Sequence, residues 1–332
     1  MNEVITKLME EYWGEKQPFE VRGVEKGNDI SLISDLEKYE IVCGDRITKV
    51  FLKRPKECFL REVFSELGFY SNELTFYRQV ANLVQGINVP FCFGTLEDGS
   101  LLLESIEEGW HVSQFCGCSL EIALLIVDKL SIFHKEMTKK KSLANVFRGW
   151  SKEIVKSERE YFFEHCLIFQ ERYSLFSNCI DFEKLKSNYV MLWKGLDDCF
   201  CSLIHNDLRL DNIFLLGEKV YFIDWQMAKW GNVAYDLSFF IVGNLKVQDR
   251  RENCEKVVRE YFRATFDEMS ERDYGLFWRC FCMSIACHMI REINYLGENG
   301  YDEEIKEDYI NTVFVRYLSA MEDYNIWGMM EM

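Results

Sequence analysis

The chain has 332 residues, 48% of them hydrophobic and 28% charged, with a net charge of −16. That length exceeds what one compact core usually serves, so two domains are expected. The charge argues against nucleic acid as a main partner, because phosphate backbones require a basic surface. It is compatible with a cationic partner, although an acidic surface also serves solubility alone.

In chain order, residues 1–17 form an amphipathic helical pattern with Val4, Leu8, Tyr12 and Trp13 on one side. Short alternating runs follow at Phe19–Val24, Ile30–Ile33, Tyr39–Val42 and Ile47–Leu52, with turn signals at Gly27-Asn28-Asp29 and Gly44-Asp45. This pattern predicts an antiparallel sheet. Residues 60–84 carry helix-period apolar positions, and two more strands are expected near Val89–Thr95 and Leu101–Glu104. Residues 1–106 therefore make a small lobe with a five-stranded sheet and one long helix. Residues 107–332 make a mainly helical lobe, with 105–118 as the longest candidate linker.

The most informative stretch is His205-Asn206-Asp207-Leu208-Arg209-Leu210-Asp211-Asn212, followed by Ile223-Asp224-Trp225-Gln226. Ile213–Leu216 and Val220–Ile223 read as strands. Gly217-Glu218 between them suits a two-residue type II′ turn. Such a hairpin brings Asn212 and Asp224 to its open end, with Asp207 on the loop leading in. Oxygen-bearing side chains in that arrangement suit magnesium. A surface hairpin with polar residues at its mouth is the bland reading. Against it, Asp224 ends an apolar run, and acids near a core are usually paired or metal-bound.

Kinase-type catalysis also requires a lysine that meets phosphates and a carboxylate that holds it. Lys53 ends the run Lys49-Val50-Phe51-Leu52, and Lys49 lies on the same strand face as its rival. Glu73 is the best helix partner, although a solvated helix charge is the usual fate of a Glu. The turn Gly27-Asn28-Asp29-Ile30-Ser31 could cover the phosphates, and an ordinary β-turn is the equal alternative. The segment through Glu104 and Ile106 could offer backbone groups to an adenine edge.

The 13 cysteines include no paired C-x-x-C knuckles and mostly lie in apolar runs. They read as buried small hydrophobes in a reducing compartment. No signal peptide or run of ~18 apolar residues is evident, so a cytoplasmic protein without membrane association is expected.

Taken together, Phe51–Pro55, Glu73–Tyr77, Leu102–Glu104, Leu130–His134, His205–Asn212, Ile223–Gln226 and Tyr235–Leu237 resemble the aminoglycoside phosphotransferase and choline kinase superfamily of small-molecule kinases. The resemblance implies an α+β, two-lobed protein-kinase-like fold with ATP or GTP between the lobes. It implies Asp207 as catalytic base, Asn212 and Asp224 on Mg2+, Lys53 on phosphates and Glu73 holding Lys53. It makes His205 and Asp236 structural partners of the catalytic loop. From the residues alone, His205 is equally a core histidine and Asp236 a helix N-cap. Two departures stand out. Asn206 occupies a position where many aminoglycoside kinases have Gly, and its His-Asn-Asp version resembles choline and ethanolamine kinases. Trp225-Gln226 instead resembles the antibiotic and ecdysteroid-kinase-like branches.

Only residues 225–235 separate Asp224 from Asp236, too few for the activation segment that supports a peptide substrate. The expected acceptor is a hydroxyl on a small, cationic molecule such as an amine-bearing antibiotic, which would make the protein a resistance or self-protection kinase. Glu292, Tyr295 and Trp225 are candidate acceptor contacts, although residues of these types more often sit in the core or on the surface, where helix aromatics usually pack. A metabolic kinase of choline, ethanolamine or a sugar is the alternative, and a pseudokinase or nucleotide-binding interaction protein is the reading from another class. A monomer or homodimer is expected.

Overall fold

The computed structural model describes residues 2–13, 18–26, 34–56, 65, 68–106, 109–147, 149, 152–197, 199–267, 270–298 and 303–331. The expected strand at Ile30–Ile33 and the turn carrying Ser31 lie outside them. By contacts, the chain divides into two units. One comprises 1–84, 88–110 and 214–228; the other comprises 85–87, 111–213 and 229–332. The division expected at 106/107 differs at the 214–228 segment, which packs with the first unit.

The first unit is built on five strands: β1 (Glu20–Lys26), β2 (Ser34–Cys43), β3 (Arg46–Pro55), β4 (Cys92–Thr95) and β5 (Leu101–Glu104). Their spatial order is β1-β2-β3-β5-β4, and each neighbouring pair is antiparallel. The helix Asn2–Trp13 buries Ile5, Leu8 and Met9 against Tyr39, Val50 and Leu52. Its buried side is thus set by positions 5, 8 and 9. Tyr12, expected on that side, remains 46% exposed and meets Phe91 and Phe93 edge-on. Along β3, Val50 and Leu52 share the core face, so Lys53 belongs to the opposite face.

The helix Phe69–Thr75 continues into one π-helical turn, Phe76–Val80, and a 3-10 turn, Ala81–Leu83. Phe76 stacks on Trp225 with ring centroids 3.9 Å apart and planes 6° from parallel. In the same unit, β7 (Ile213–Leu216) pairs with β8 (Lys219–Phe222). Gly217 has φ 58, and Glu218 is not among the residues with positive φ. That is the backbone of the expected II′ turn.

The second unit is helical apart from β6 (Cys201–Ile204) and β9 (Lys229–Asn232), which pair antiparallel. Its central helix, Val233–Asn244, is buried along its whole length. Helices Leu120–Thr138, Val247–Thr265 and Glu271–Gly297 pack around it. Asn232 caps the central helix by accepting from Ala234 N at 2.9 Å, so Asp236 is not the N-cap. Of the twelve cysteines among the described residues, six are buried, while Cys116 and Cys179 are exposed. Among these residues no helix is long and apolar enough to cross a membrane.

Candidate active site

In the first unit, three of the expected residues meet. Lys53 Nζ lies 2.9 Å from Glu73 Oε1 and 2.7 Å from Glu73 Oε2. It also donates to Asp224 Oδ1 at 2.6 Å. Lys53 and Glu73 are 8% and 4% exposed. Burial opposes the lysine's charge, but Asp224 and Glu73 outweigh burial and raise its pKa. Burial dominates at Glu73 and raises its pKa, despite the lysine and the Trp225 backbone N–H. Lys49 instead sits 3.9 Å from Glu40 with its side chain 41% exposed.

Asp224 is held at φ 65, in the left-handed region. An aspartate tolerates this conformation better than a branched residue does. Its Oδ2 accepts from Gln226 Nε2 at 3.2 Å. Asn72 Nδ2 donates to Gln226 O at 3.2 Å, fastening the Phe69–Thr75 helix to the same segment. Trp225 is fully buried and its Nε1 donates to Phe222 O. It is a packing residue here, not the acceptor contact considered from sequence. Glu104 ends β5, where its N–H is taken by Phe91 O and its carboxylate accepts from Phe91 N. Ile106 follows outside the strand, without regular secondary structure.

In the second unit, β6 delivers the loop His205–Asn212. Asp236 reaches back from the first turn of the central helix. Its Oδ2 accepts from His205 N at 2.6 Å and its Oδ1 from Asn206 N at 2.8 Å. His134 Nε2 lies 3.4 Å from the same carboxylate. His205 Nδ1 accepts from Asp207 N at 3.3 Å. Asn244 accepts from Leu210 N at 3.0 Å and donates to Leu208 O at 3.3 Å. Buried polar groups at both ends of the loop thus satisfy its backbone, as a buried loop requires.

Asn206 has φ 65. Glycine and asparagine are the residues that enter this region most readily. The Asn-for-Gly difference therefore preserves a backbone conformation and does not by itself separate the branches.

Asp207 is 6% exposed. Asn212 Nδ2 donates to its Oδ2 at 3.0 Å and to its carbonyl at 2.9 Å. Arg291 Nη2 donates to Oδ1 at 2.7 Å. Burial raises the carboxyl's pKa, but Arg209 and Arg291, aided by His205, more than reverse that and hold it below the usual range. The sequence reading missed Arg291. It lies inside a recognised helix pattern, and an arginine there reads as a solvated charge.

Arg291's neighbour Glu292 is 2% exposed. Tyr309 Oη donates to it at 2.7 Å, and Tyr295 packs on Tyr309 with centroids 4.9 Å apart. Burial pushes Glu292 up to about 7, against the lowering effects of Tyr309 and Arg291.

The fold has counterparts among known proteins. The chain matches the fold of a spectinomycin phosphotransferase solved with ADP and spectinomycin, at TM-score 0.57 and 13% identity, covering 97% of this chain and 98% of that one. It also matches a choline kinase from Cryptosporidium parvum Iowa II, at TM-score 0.56 and 12% identity over 98% and 96% of the two chains. An ethanolamine kinase from Plasmodium vivax aligns at TM-score 0.53 and 14% identity over 91% and 82%. The fold is that of the protein-kinase-like phosphotransferases. A model of the ecdysteroid kinase-like family matches residues 111–274, which include Asp207, Asn212 and Asp224. A Protein LicA homolog of Metamycoplasma hominis is 36% identical over 64 residues, 19% of this chain. That match spans about a quarter of the relative's length.

Proposed function

We propose that this enzyme transfers the γ-phosphoryl group of ATP or GTP, with Mg2+, to a hydroxyl of a small amine-bearing molecule. The observation that carries the reading is the Asp207 carboxylate, kept ionised by Arg209 and Arg291 and oriented by Asn212 and Arg291. In this role Asp207 accepts the hydroxyl proton as the acceptor oxygen bonds to γ-phosphorus. The bond from γ-phosphorus to the bridging β-oxygen breaks, and the nucleoside diphosphate leaves.

Lys53 would meet the α- and β-phosphates, steadied by Glu73. Ser31 would lie in the loop over them, and the Glu104 carbonyl and Ile106 N–H would receive the nucleobase edge. By donor chemistry, the Asn212 amide oxygen and the Asp224 carboxylate would each suit a magnesium ion. Asn212 turns its amide nitrogen to Asp207, which leaves its oxygen as the ligand atom, and Asp224 contributes a carboxylate. Magnesium commonly takes few protein ligands and completes its shell with phosphate and water. Bound there, it would neutralise charge on the phosphates. The ADP in the spectinomycin phosphotransferase supports a nucleotide co-substrate.

The amine on the acceptor is supported by Glu292, a buried acid among tyrosines. A nearby ammonium would favour its ionised form, and aromatic faces also attract cations. An antibiotic acceptor, and with it a resistance or self-protection role, follows from the aminoglycoside-kinase likeness. Choline or ethanolamine is the second reading, supported by the choline and ethanolamine kinase folds. The test is a phosphorylation screen with MgATP and MgGTP against aminoglycosides, spectinomycin, choline, ethanolamine and sugars. Product confined to amine-bearing compounds supports the proposal; turnover of sugars alone or of a peptide overturns it.

A further inference from the structure

Arg291 belongs to none of the segments that carry the superfamily resemblance, yet it makes two contacts to the catalytic loop. Its Nη1 donates to Asn206 O and its Nη2 to Asp207 Oδ1, each at 2.7 Å. The guanidinium also lies over the Phe239 ring, 4.9 Å from its centroid. One planar fork therefore holds two consecutive residues while its own plane is held by an aromatic ring. The side chain keeps 27% exposure, against 8% for Asp207.

The two contacts have distinct consequences. Asn206 is in the left-handed region, where its N–H is already bonded to Asp236. Arg291 fixes the carbonyl of that same residue, so Asn206 is held at both its N–H and its carbonyl. At Asp207, Arg291 takes Oδ1 while Asn212 takes Oδ2. With both oxygens engaged, the carboxylate cannot rotate without breaking a charge-assisted bond. The lone pairs left for an incoming hydroxyl then have a fixed direction.

We propose that Arg291 is a positioning residue for phosphoryl transfer, setting the orientation of the Asp207 carboxylate through this two-point clamp. The proposal rests on the reading of Asp207 as the base. Arginine suits the task because its fork spans two acceptors and its plane stacks, whereas a lysine ammonium offers a single point of charge.

The experiment uses the full chain with MgATP and water as the acceptor, comparing wild type, R291A, R291K and D207N. R291A is expected to lose about a hundredfold in kcat, the scale that misplacing a reacting group costs, with the KM for MgATP unchanged. Millimolar methylguanidinium restores part of the lost rate, while tetramethylammonium chloride does not. R291K recovers less than methylguanidinium does. Amide hydrogen exchange across residues 205–212 is faster in R291A than in wild type, a readout independent of turnover.

Wild-type kcat in R291A, or unchanged exchange across that loop, overturns the proposal. A lost rate that methylguanidinium does not restore, with a parallel fall in thermal stability, overturns it in favour of a purely structural role. If D207N is as active as wild type, the base reading fails first. If D207N is inactive while R291A turns over normally, only the role of Arg291 fails.

Discussion

The Lys53 ammonium stands 2.6 Å from the Asp224 carboxylate, joining the end of strand β3 to the segment after β8. Glu73 holds the same ammonium from the Phe69–Thr75 helix. A buried lysine between two acids is fixed in position and fully charged, which suits a group that must meet phosphate oxygens. Replacing Lys53 with Met is expected to lower kcat about 10²–10³-fold, the usual cost of removing one preorganised electrostatic contact. Lys49→Met, at an exposed site 3.9 Å from Glu40, should change it by less than about twofold, since surface substitutions are usually near neutral. Steady-state kinetics on both variants checks this, and reversed effects would exchange the roles of the two lysines.

Asp207→Asn retains the shape of the side chain and removes its capacity to take a proton. Transfer is expected to fall about 10²–10⁴-fold, the contribution typical of general acid–base catalysis. Nucleotide affinity, measured by fluorescent-analogue displacement, should remain within a few-fold of wild type.

Glu292 introduces a pH dependence whose sign follows from its raised folded-state pKa of about 7, against an ordinary value of 4.5. The folded state binds this proton more tightly than the unfolded chain does. Its stabilising effect is therefore complete below the unfolded pKa and is lost as pH rises through about 7. The full span corresponds to about 3 kcal/mol. Urea unfolding of wild type and Glu292→Gln should diverge between acidic and mildly alkaline pH, with the variant gaining relative stability as pH rises. If the acceptor amine meets Glu292, its KM should fall as pH rises through neutrality, and Glu292→Gln should flatten that trend.

Asn206 tests the backbone argument. Asn206→Gly should leave stability nearly unchanged, because both residues accept φ 65. Asn206→Val should cost about 1–2 kcal/mol, the penalty for a branched residue in the left-handed region, and should lower kcat further by displacing Asp207. Equal behaviour of the two variants in denaturation and kinetics would remove the conformational explanation.

Local pattern made much of this molecule readable. Alternation marked the strands around Tyr39–Val42 and Ile47–Leu52, and Gly217-Glu218 marked the hairpin turn. Asp207 and Asn212 are brought together in one unit, and Lys53, Glu73 and Asp224 in the other. What escaped was set by contacts distant in sequence. Arg291 meets Asp207 across a long separation, and no local period records that. Asp236 by type alone could equally be a cap; the superfamily resemblance made it a partner of the loop, and it braces His205 and Asn206 while Asn232 takes the cap. Trp225 beside a functional acid was a candidate ligand contact, but aromatics usually pack, and its stacking on Phe76 in another element places it in the core, without a local signal for that partner.

The most direct test of the account is phosphoryl transfer from radiolabelled MgATP or MgGTP to the small-molecule panel, run in parallel with wild type and Asp207→Asn. Label appearing on an amine-bearing hydroxyl compound with wild type, and at least about a hundredfold less with the variant, is the predicted result. Equal labelling by the two proteins, or label carried only by a peptide, would contradict it.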